Sequence, residues 1–515
     1  MEAYYKALLP YKLEKEKALP AIAVTLAVLY VTSKLISSSN KKPSKEIPMH
    51  KSAYPYIGHL LSLGKIPSKT MEEWHNELGP IMKIKMGAQT WISIDSPRLA
   101  HQLLVINGSK TSSRPESYFS HTYSIGEKGM IFSPANKNWK KIRSAVSSAI
   151  SPSQINIYLP SIENQAKKLV DRLIETTKKE SGVHPYTDLQ FFSVNTIFAI
   201  AFGRKFESIN DPDFKDLKDQ IEESMAYSGI EYDLATYLPI FSIYDFFTGV
   251  QAKIRRLVEE RRNPSFQKFI KEGLQRTDHN LVKYLEEGDF DLSQDDLTVA
   301  FNDIVGAGTD TIAVTLTWNI TMMVHHPQVQ LKAQEEIDRF IKSNDRLPTI
   351  NDKEELPYCF SVIKESMRYK STVPYGLPHL VDKDVQLGEY LIEKGTVVVT
   401  SMNNLQRNPE FYPDMPESFV PERYMNNLKS MQAAVNGKLE ERDHFAFGWG
   451  RRICPGISLA EAEIFAGFVS ILSRCSIVPT DKGMPDINGA INCGLTVLPL
   501  PFKVKFVERS NSLIK

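Results

Sequence analysis

The nineteen residues 443–461, DHFAFGWGRRICPGISLAE, restrict this chain more tightly than any other stretch. Within them Phe447, Gly450, Arg452, Cys454 and Gly456 stand at F-x-x-G-x-R-x-C-x-G. At residue usages of a few per cent, five such positions coincide by chance in roughly 10⁻⁴ of chains this long. The glycines let backbone pass close to a flat ligand, where a Cβ would collide. The apolar run after Cys454 opens a helix. N–H groups at that helix start, together with Arg452, would favour the thiolate form of the cysteine.

From the residues alone, Cys454 has three uses. A single cysteine is usually a buried, inert small hydrophobe, and Cys359, Cys475 and Cys493 read that way. A nucleophile with His444 as its base is a second use, although nothing near it supplies a third, orienting group. The third is metal ligation, because a thiolate held at a helix start can be an axial haem ligand.

Residues 301–320, FNDIVGAGTDTIAVTLTWNI, read as a strongly apolar helix with Gly306, Ala307, Gly308, Thr309, Asp310 and Thr311 at its middle. Two glycines inside a helix cost about 1 kcal/mol each relative to alanine. A carboxylate in apolar surroundings is costly unless partnered. The plain explanation is close helix packing plus one exposed Asp. Further on, Glu365 and Arg368 share a helix face. The same E-x-x-R at Glu259/Arg262 and Glu336/Arg339 reads as solvated surface pairs. Trp139 and Arg143 form an i,i+4 pair.

Residues 443–461 resemble the haem-binding loop of the cytochrome P-450 monooxygenases, fungal microsomal members in particular. Other family motifs follow in order from about Pro48 to Arg509. The resemblance implies haem b with Cys454 as axial iron ligand and Phe447 in the cofactor loop. Ala307, Gly308, Asp310 and Thr311 match the oxygen-activation pattern A-G-x-D-T, with Asp310 and Thr311 as the catalytic pair that handles protons. Ile312 departs from the second hydroxyl residue often found there. Glu365 and Arg368 become a structural pair completed by Arg423 of Pro421-Glu-Arg-Tyr. Arg114, Trp139, Arg143, His379 and Arg452 become donors to the haem propionates. By the same analogy a lipophilic substrate is lined by the loop 118–125 with Tyr118 and Phe119, by Phe301, Ile304 and Val305, by Val373 and Leu377, and by Leu495 and Thr496. The roof comes from residues 227–247.

The implied reaction inserts one atom of O2 into a steroid, terpenoid or polyketide. Electrons come from NADPH through a cytochrome P-450 reductase, with cytochrome b5 as a further donor. Lys137, Lys140, Lys141 and Arg451 are candidate contacts for an acidic electron donor. Two rivals are a reductase-independent haem-thiolate isomerase or dehydratase and a non-catalytic haem sensor or carrier. The presence of Asp310 and Thr311 argues against the isomerase.

Residues 18–33 form 16 uncharged residues, apolar on every face. They span about 24 Å, and Lys34, snorkelling to the interface, extends them toward the bilayer's roughly 30 Å core. Seventeen mixed residues precede the run, which argues against a cleaved signal peptide. Five lysines follow it (Lys34, Lys41, Lys42, Lys45, Lys51) against four before (Lys6, Lys12, Lys15, Lys17), a small excess favouring a cytosolic body. The expected layout is a lumenal segment 1–17, an anchor 18–36 in the endoplasmic reticulum membrane, a Pro/Lys-rich linker 37–55 and one catalytic domain 56–515. In a cytosolic body, the glycosylation sequons at Asn107 and Asn319 are chance matches.

Residues 81–86 and 90–94 alternate around Gly87 as a hairpin. Helical patterns dominate from residue 96 to 370, with helices at 161–179, 189–202, 295–325 and 327–343. A strand at 396–400 and a helix at 457–472 follow. The fold class is mainly α with small β-sheets, an α+β body. With 62 basic against 61 acidic residues nothing suggests nucleic-acid binding, and four cysteines in 515 residues exclude a disulfide scaffold.

Overall fold

The computed structural model describes residues 45–242, 248–510 and 512. The segments expected at 1–17 and 18–36, most of the linker, and residues 243–247 of the expected pocket roof lie outside them. Among the described residues no helix is long and apolar enough to cross a membrane.

The longer helices are α1 (Pro67–Leu78), α2 (Lys137–Ala149), α3 (Pro152–Lys179), α4 (Pro185–Phe202), α5 (Pro212–Tyr227), α6 (Asn263–Gln275), α7 (Gln294–His325), α8 (Pro327–Asn344), α9 (Pro357–Tyr369) and α10 (Ile457–Arg474). Helix α7 starts where Ser293 and Asp296 cap each other's backbone N–H groups, the S-x-x-D form of the capping box. It is apolar on all sides because it lies against α4, α6, α8, α9 and α10. Helix α4 is likewise apolar all round and ends at Gly203, whose φ of 65° suits a residue without Cβ. Helices α3, α4, α7 and α10 form the central bundle.

The strands are β1 (Ile81–Met86), β2 (Gln89–Ile94), β3 (His379–Leu380), β4 (Val385–Leu387), β5 (Tyr390–Ile392), β6 (Val397–Thr400), β7 (Cys475–Pro479), β8 (Ala490–Asn492), β9 (Val497–Pro499) and β10 (Val504–Glu508). The hairpin pairs Ile81 with Ile94, and β6 joins β2 in parallel, giving the order β1-β2-β6-β3. The remaining strands pair as β10-β7, β4-β5 and β8-β9.

Several sequence expectations change. Helix α3 begins nine residues before 161 and contains Pro160, which a sequence reading takes as a helix boundary. Residues 118–125 are not simply a loop, since Tyr118–Tyr123 is a short helix capped by Ser117. Arg262 and Glu336 are not surface residues. Arg262 is 1% exposed and donates to Tyr123 O at 2.6 Å. Glu336 accepts from the backbone N–H groups of Tyr358 (2.9 Å) and Cys359 (2.7 Å), capping α9. Asn319 is buried inside α7, out of reach of glycosylation.

Candidate functional site

The loop before α10 is fixed by its backbone. Cys454 N–H donates to Phe447 O at 2.9 Å, and Ile453 N–H to Gly450 O at 3.2 Å. Gly450 has φ 55°, and a Cβ there would lie 2.2 Å from Leu104 O. No other residue fits that approach. Burial pushes the Cys454 thiol up, against the opposing effects of the Gly456 N–H and the charge of Arg143. The sequence expectation gave that cationic role to Arg452. Arg452 instead donates to Ser112 O (2.6 Å), Met130 O (2.9 Å) and Ser133 O (2.5 Å) and lies over the Trp139 ring at 4.2 Å. His444 is buried with its ring 5.5 Å from Phe447, and its Nε2 has no hydrogen-bond partner. No Cys–His pair forms, so the nucleophile reading loses its base.

Three guanidinium groups gather near this loop. Arg114 donates to Ile131 O (3.0 Å), Leu377 O (3.0 Å) and Pro378 O (2.7 Å). Arg143 donates to Ile453 O and sits 5.6 Å from the Trp139 ring. Trp139 Nε1 donates to Met130 O at 3.2 Å. Burial and mutual repulsion push Arg114 down to about 9 and Arg452 to about 8. All three arginines contact backbone carbonyls and none forms an ion pair with a carboxylate among the described residues. Asp382 exerts only the smallest of the influences on Arg452. Cations held in this state, Arg452 buried and Arg114 and Arg143 half-buried, call for an anionic partner. His379 is pushed down to about 3, by burial and then by Arg114 and Arg452. Its Nδ1 meets Thr111 O at 2.8 Å, so the neutral ring donates there and keeps no proton on Nε2. His379 becomes a second donor only when an anion draws another proton onto it.

Helix α7 is buried along nearly its whole length, yet Ala307, Gly308 and Thr311 keep accessible surface on one stripe. A Cβ on Gly308 would come within 2.9 Å of Ile197 Cδ1, so this glycine also serves close packing on α4. Ser193 on α4 donates to Gly308 O at 3.0 Å. Thr311 Oγ1 donates to Ala307 O at 2.7 Å. Asp310 is 3% exposed rather than exposed as the plain explanation required. It accepts from Tyr186 and from Thr496, each at 2.7 Å.

Glu365 and Arg368 are both fully buried. Arg368 makes two bonds to Glu365 (2.7 and 2.8 Å) and others to Gln406 O, Pro416 O and Ser418 O. Arg423 adds a contact to Glu365 at 3.0 Å, and Val420 N–H donates to the same carboxylate at 2.6 Å.

The expected pocket residues divide. Ile304 is buried in the core, whereas Tyr118, Val373, Leu377 and Leu495 retain surface that a ligand could cover. Phe301 does not. It is fully buried, with its ring 5.2 Å from Phe202 in the aromatic core. Val305 is also fully buried, and Phe119 packs edge-on against Phe132 at 5.6 Å. Thr496 spends its hydroxyl on Asp310 instead of facing a ligand. Sequence reading missed Tyr186, which stands more than 120 residues from Asp310. It also missed Asp303, whose carboxylate accepts from the N–H groups of Met130 (2.5 Å) and Ile131 (3.2 Å) and is pushed up to about 7 by burial.

A half-buried thiol in a glycine-shaped loop, three guanidiniums beside it without a carboxylate partner and an accessible helix notch together fit haem, a flat metal macrocycle with two carboxylates. The sequence matches the Cytochrome P450 family over residues 48–506. The chain belongs to that family, and its enzymatic class is the cytochrome P450 monooxygenases, which are oxidoreductases.

It is 28% identical over 514 residues to a cytochrome P450 monooxygenase of Armillaria gallica, covering 95% of each protein. It is 27% identical to cytochrome P450 2C7 of Rattus norvegicus, covering 90% of this chain and 96% of that one. A zebra fish cytochrome P450 structure with progesterone superposes at TM-score 0.72. It is 23% identical and covers 86% of this chain and 99% of that chain, which shows the fold.

Proposed function

We propose that this chain hydroxylates a lipophilic small molecule of the steroid, terpenoid or polyketide class, steroid first among them. It would do so as a haem b protein anchored in the endoplasmic reticulum membrane, with electrons drawn from NADPH through a reductase and cytochrome b5 as a second donor. The observation that carries this reading is the occurrence in one core of the Cys454 loop and of an accessible stripe on α7 at Ala307, Gly308 and Thr311, with the buried Asp310 beside it. Haem, when bound, supplies the iron that activates O2.

The chain's own residues do the rest. Cys454 would hold the iron, and Arg114, Arg143 and Arg452 would hold the propionates and set the ring's orientation. The apolar surface of Tyr118, Val373, Leu377 and Leu495 favours a lipophilic ligand by burial and excludes water. Asp310 holds a proton source in the interior. Thr311 presents a hydroxyl on the accessible stripe, and it must turn from Ala307 O to donate elsewhere.

Thr311→Ala should keep NADPH consumption while product per NADPH falls by about tenfold to a hundredfold, the shortfall leaving as peroxide. Product and peroxide quantified in one reaction check this. Full coupling in the variant would remove Thr311 from proton handling. The same assay separates a monooxygenase from an isomerase or a carrier, neither of which consumes NADPH with substrate. A panel of steroids and terpenoids, read by the spin-state shift of the haem spectrum, tests the substrate class.

Lys137, Lys140 and Arg451 are exposed near the cysteine loop, whereas Lys141 is engaged by Asp291. Reversing charge at Lys137 and Lys140 should slow haem reduction by about tenfold or more at low salt, with the difference shrinking as salt rises. Unchanged stopped-flow reduction would remove these lysines from donor docking.

A further inference from the structure

The carboxylate of Asp310 is held by two hydroxyl groups from elements remote in sequence. Tyr186, in the first turn of α4, donates to Oδ1 at 2.7 Å, and Thr496, just before β9, donates to Oδ2 at 2.7 Å. Both contacts are buried. The turn carrying Thr496 is pinned independently. Gly494 has φ 83°, and a Cβ there would lie 2.2 Å from Met225 O on α5. Val497 N–H donates to Thr372 O at 3.0 Å, and Val497 O accepts from Trp318 Nε1 at 3.0 Å. On the other side, α4 packs along α7, and Tyr186 lies in its buried first turn. Both donors are therefore carried on backbone that packing holds in place.

Asp310 and Thr311 are adjacent, so their side chains leave the helix about 100° apart. Thr311 lies on the accessible stripe, and Asp310 faces α4 and the β8–β9 turn. We propose that Tyr186 and Thr496 are positioning residues that hold the Asp310 carboxylate at this point, fixing its orientation and the ease with which it takes and releases a proton. The proposal rests on the reading of Asp310 as a proton-handling group and adds the residues that set its state.

The groups acting on Asp310 have opposing signs. Burial raises its affinity for a proton, the two hydroxyls lower it, and the charge of Glu222 on α5 raises it again. Glu222 is itself buried and paired with Lys218 at 2.9 Å. Because both hydroxyls donate to the carboxylate, removing either one favours the neutral acid, and the titration midpoint must move up.

The test uses the ferric haem-loaded protein at rest. The carbonyl stretch of neutral Asp310 is followed by infrared difference spectroscopy across pH, with Asp310→Asn identifying the band. Tyr186→Phe and Thr496→Val should each raise the midpoint by about one pH unit, the size of one hydrogen bond to a charged group. Thr496→Ser, which restores the hydroxyl, should return the wild-type midpoint and guards against a loss due only to altered packing. Midpoints of both variants within about 0.3 unit of wild type would overturn the proposal, since one lost bond to a carboxylate exceeds that. Peroxide release in turnover is measured on the same proteins. Shifted midpoints with unchanged coupling would support the two anchors and overturn the part of Asp310 in proton delivery.

Discussion

Cys454→Ser should fold, lose the ferrous carbon-monoxide spectrum of sulfur-ligated haem and retain less than about 1% of monooxygenase activity. The change is nearly isosteric. The loop is held by the Cys454 N–H to Phe447 O bond and by the approach of Gly450 to Leu104, neither of which involves the sulfur. What disappears is a group that a metal can deprotonate outright near neutral pH, a property that a serine alcohol lacks. No other cysteine can substitute. Cys359 is buried against Ala333 O, Cys475 begins β7, and Cys493 lies in the turn after β8, all fully or nearly fully buried. A sulfur-type spectrum surviving in Cys454→Ser would overturn the site assignment.

Arg368→Ala should be the most damaging substitution away from the cysteine loop, costing about 3–5 kcal/mol. Against a typical stability of about 5–15 kcal/mol, that is enough to depopulate the folded state. Removing the guanidinium leaves Glu365 charged and fully buried, with Arg423 and the Val420 N–H as its remaining partners. It also frees the carbonyls of Gln406, Pro416 and Ser418. Those carbonyls belong to an irregular stretch with little ladder of its own, so the arginine replaces secondary structure as its support. Arg368→Lys should recover only part of the loss, because one ammonium cannot match a planar fork bonded on both sides. Urea midpoints and haem retention on warming check this. A penalty below about 1 kcal/mol, the scale of an exposed ion pair, would place the pair among ordinary surface bridges.

Cys454 was legible in the sequence because glycine spacing, arginine and cysteine are local, and local backbone demands appear directly as residue types. The long helices were legible for the same reason, as apolar runs at helical spacing. The pocket was much less so. Phe301 and Val305 carry the apolar character of contact residues, yet they are core, since apolar side chains look alike whether they face a ligand or another helix. Arg262 and Glu336 show the converse, because charged residues read as solvated until a backbone end is brought beside them.

By itself, then, the order of residues determined the helical class, the cysteine loop and the adjacent acid and threonine of α7, each encoded within a few turns of chain. Only the tertiary structure decided what partners those residues have. Tyr186 reaches Asp310 because α4 packs antiparallel on α7, and Thr496 reaches it because a turn near the C-terminus is wedged against α5. Contacts of that range depend on how packed elements meet, and no stretch of neighbouring residues records it.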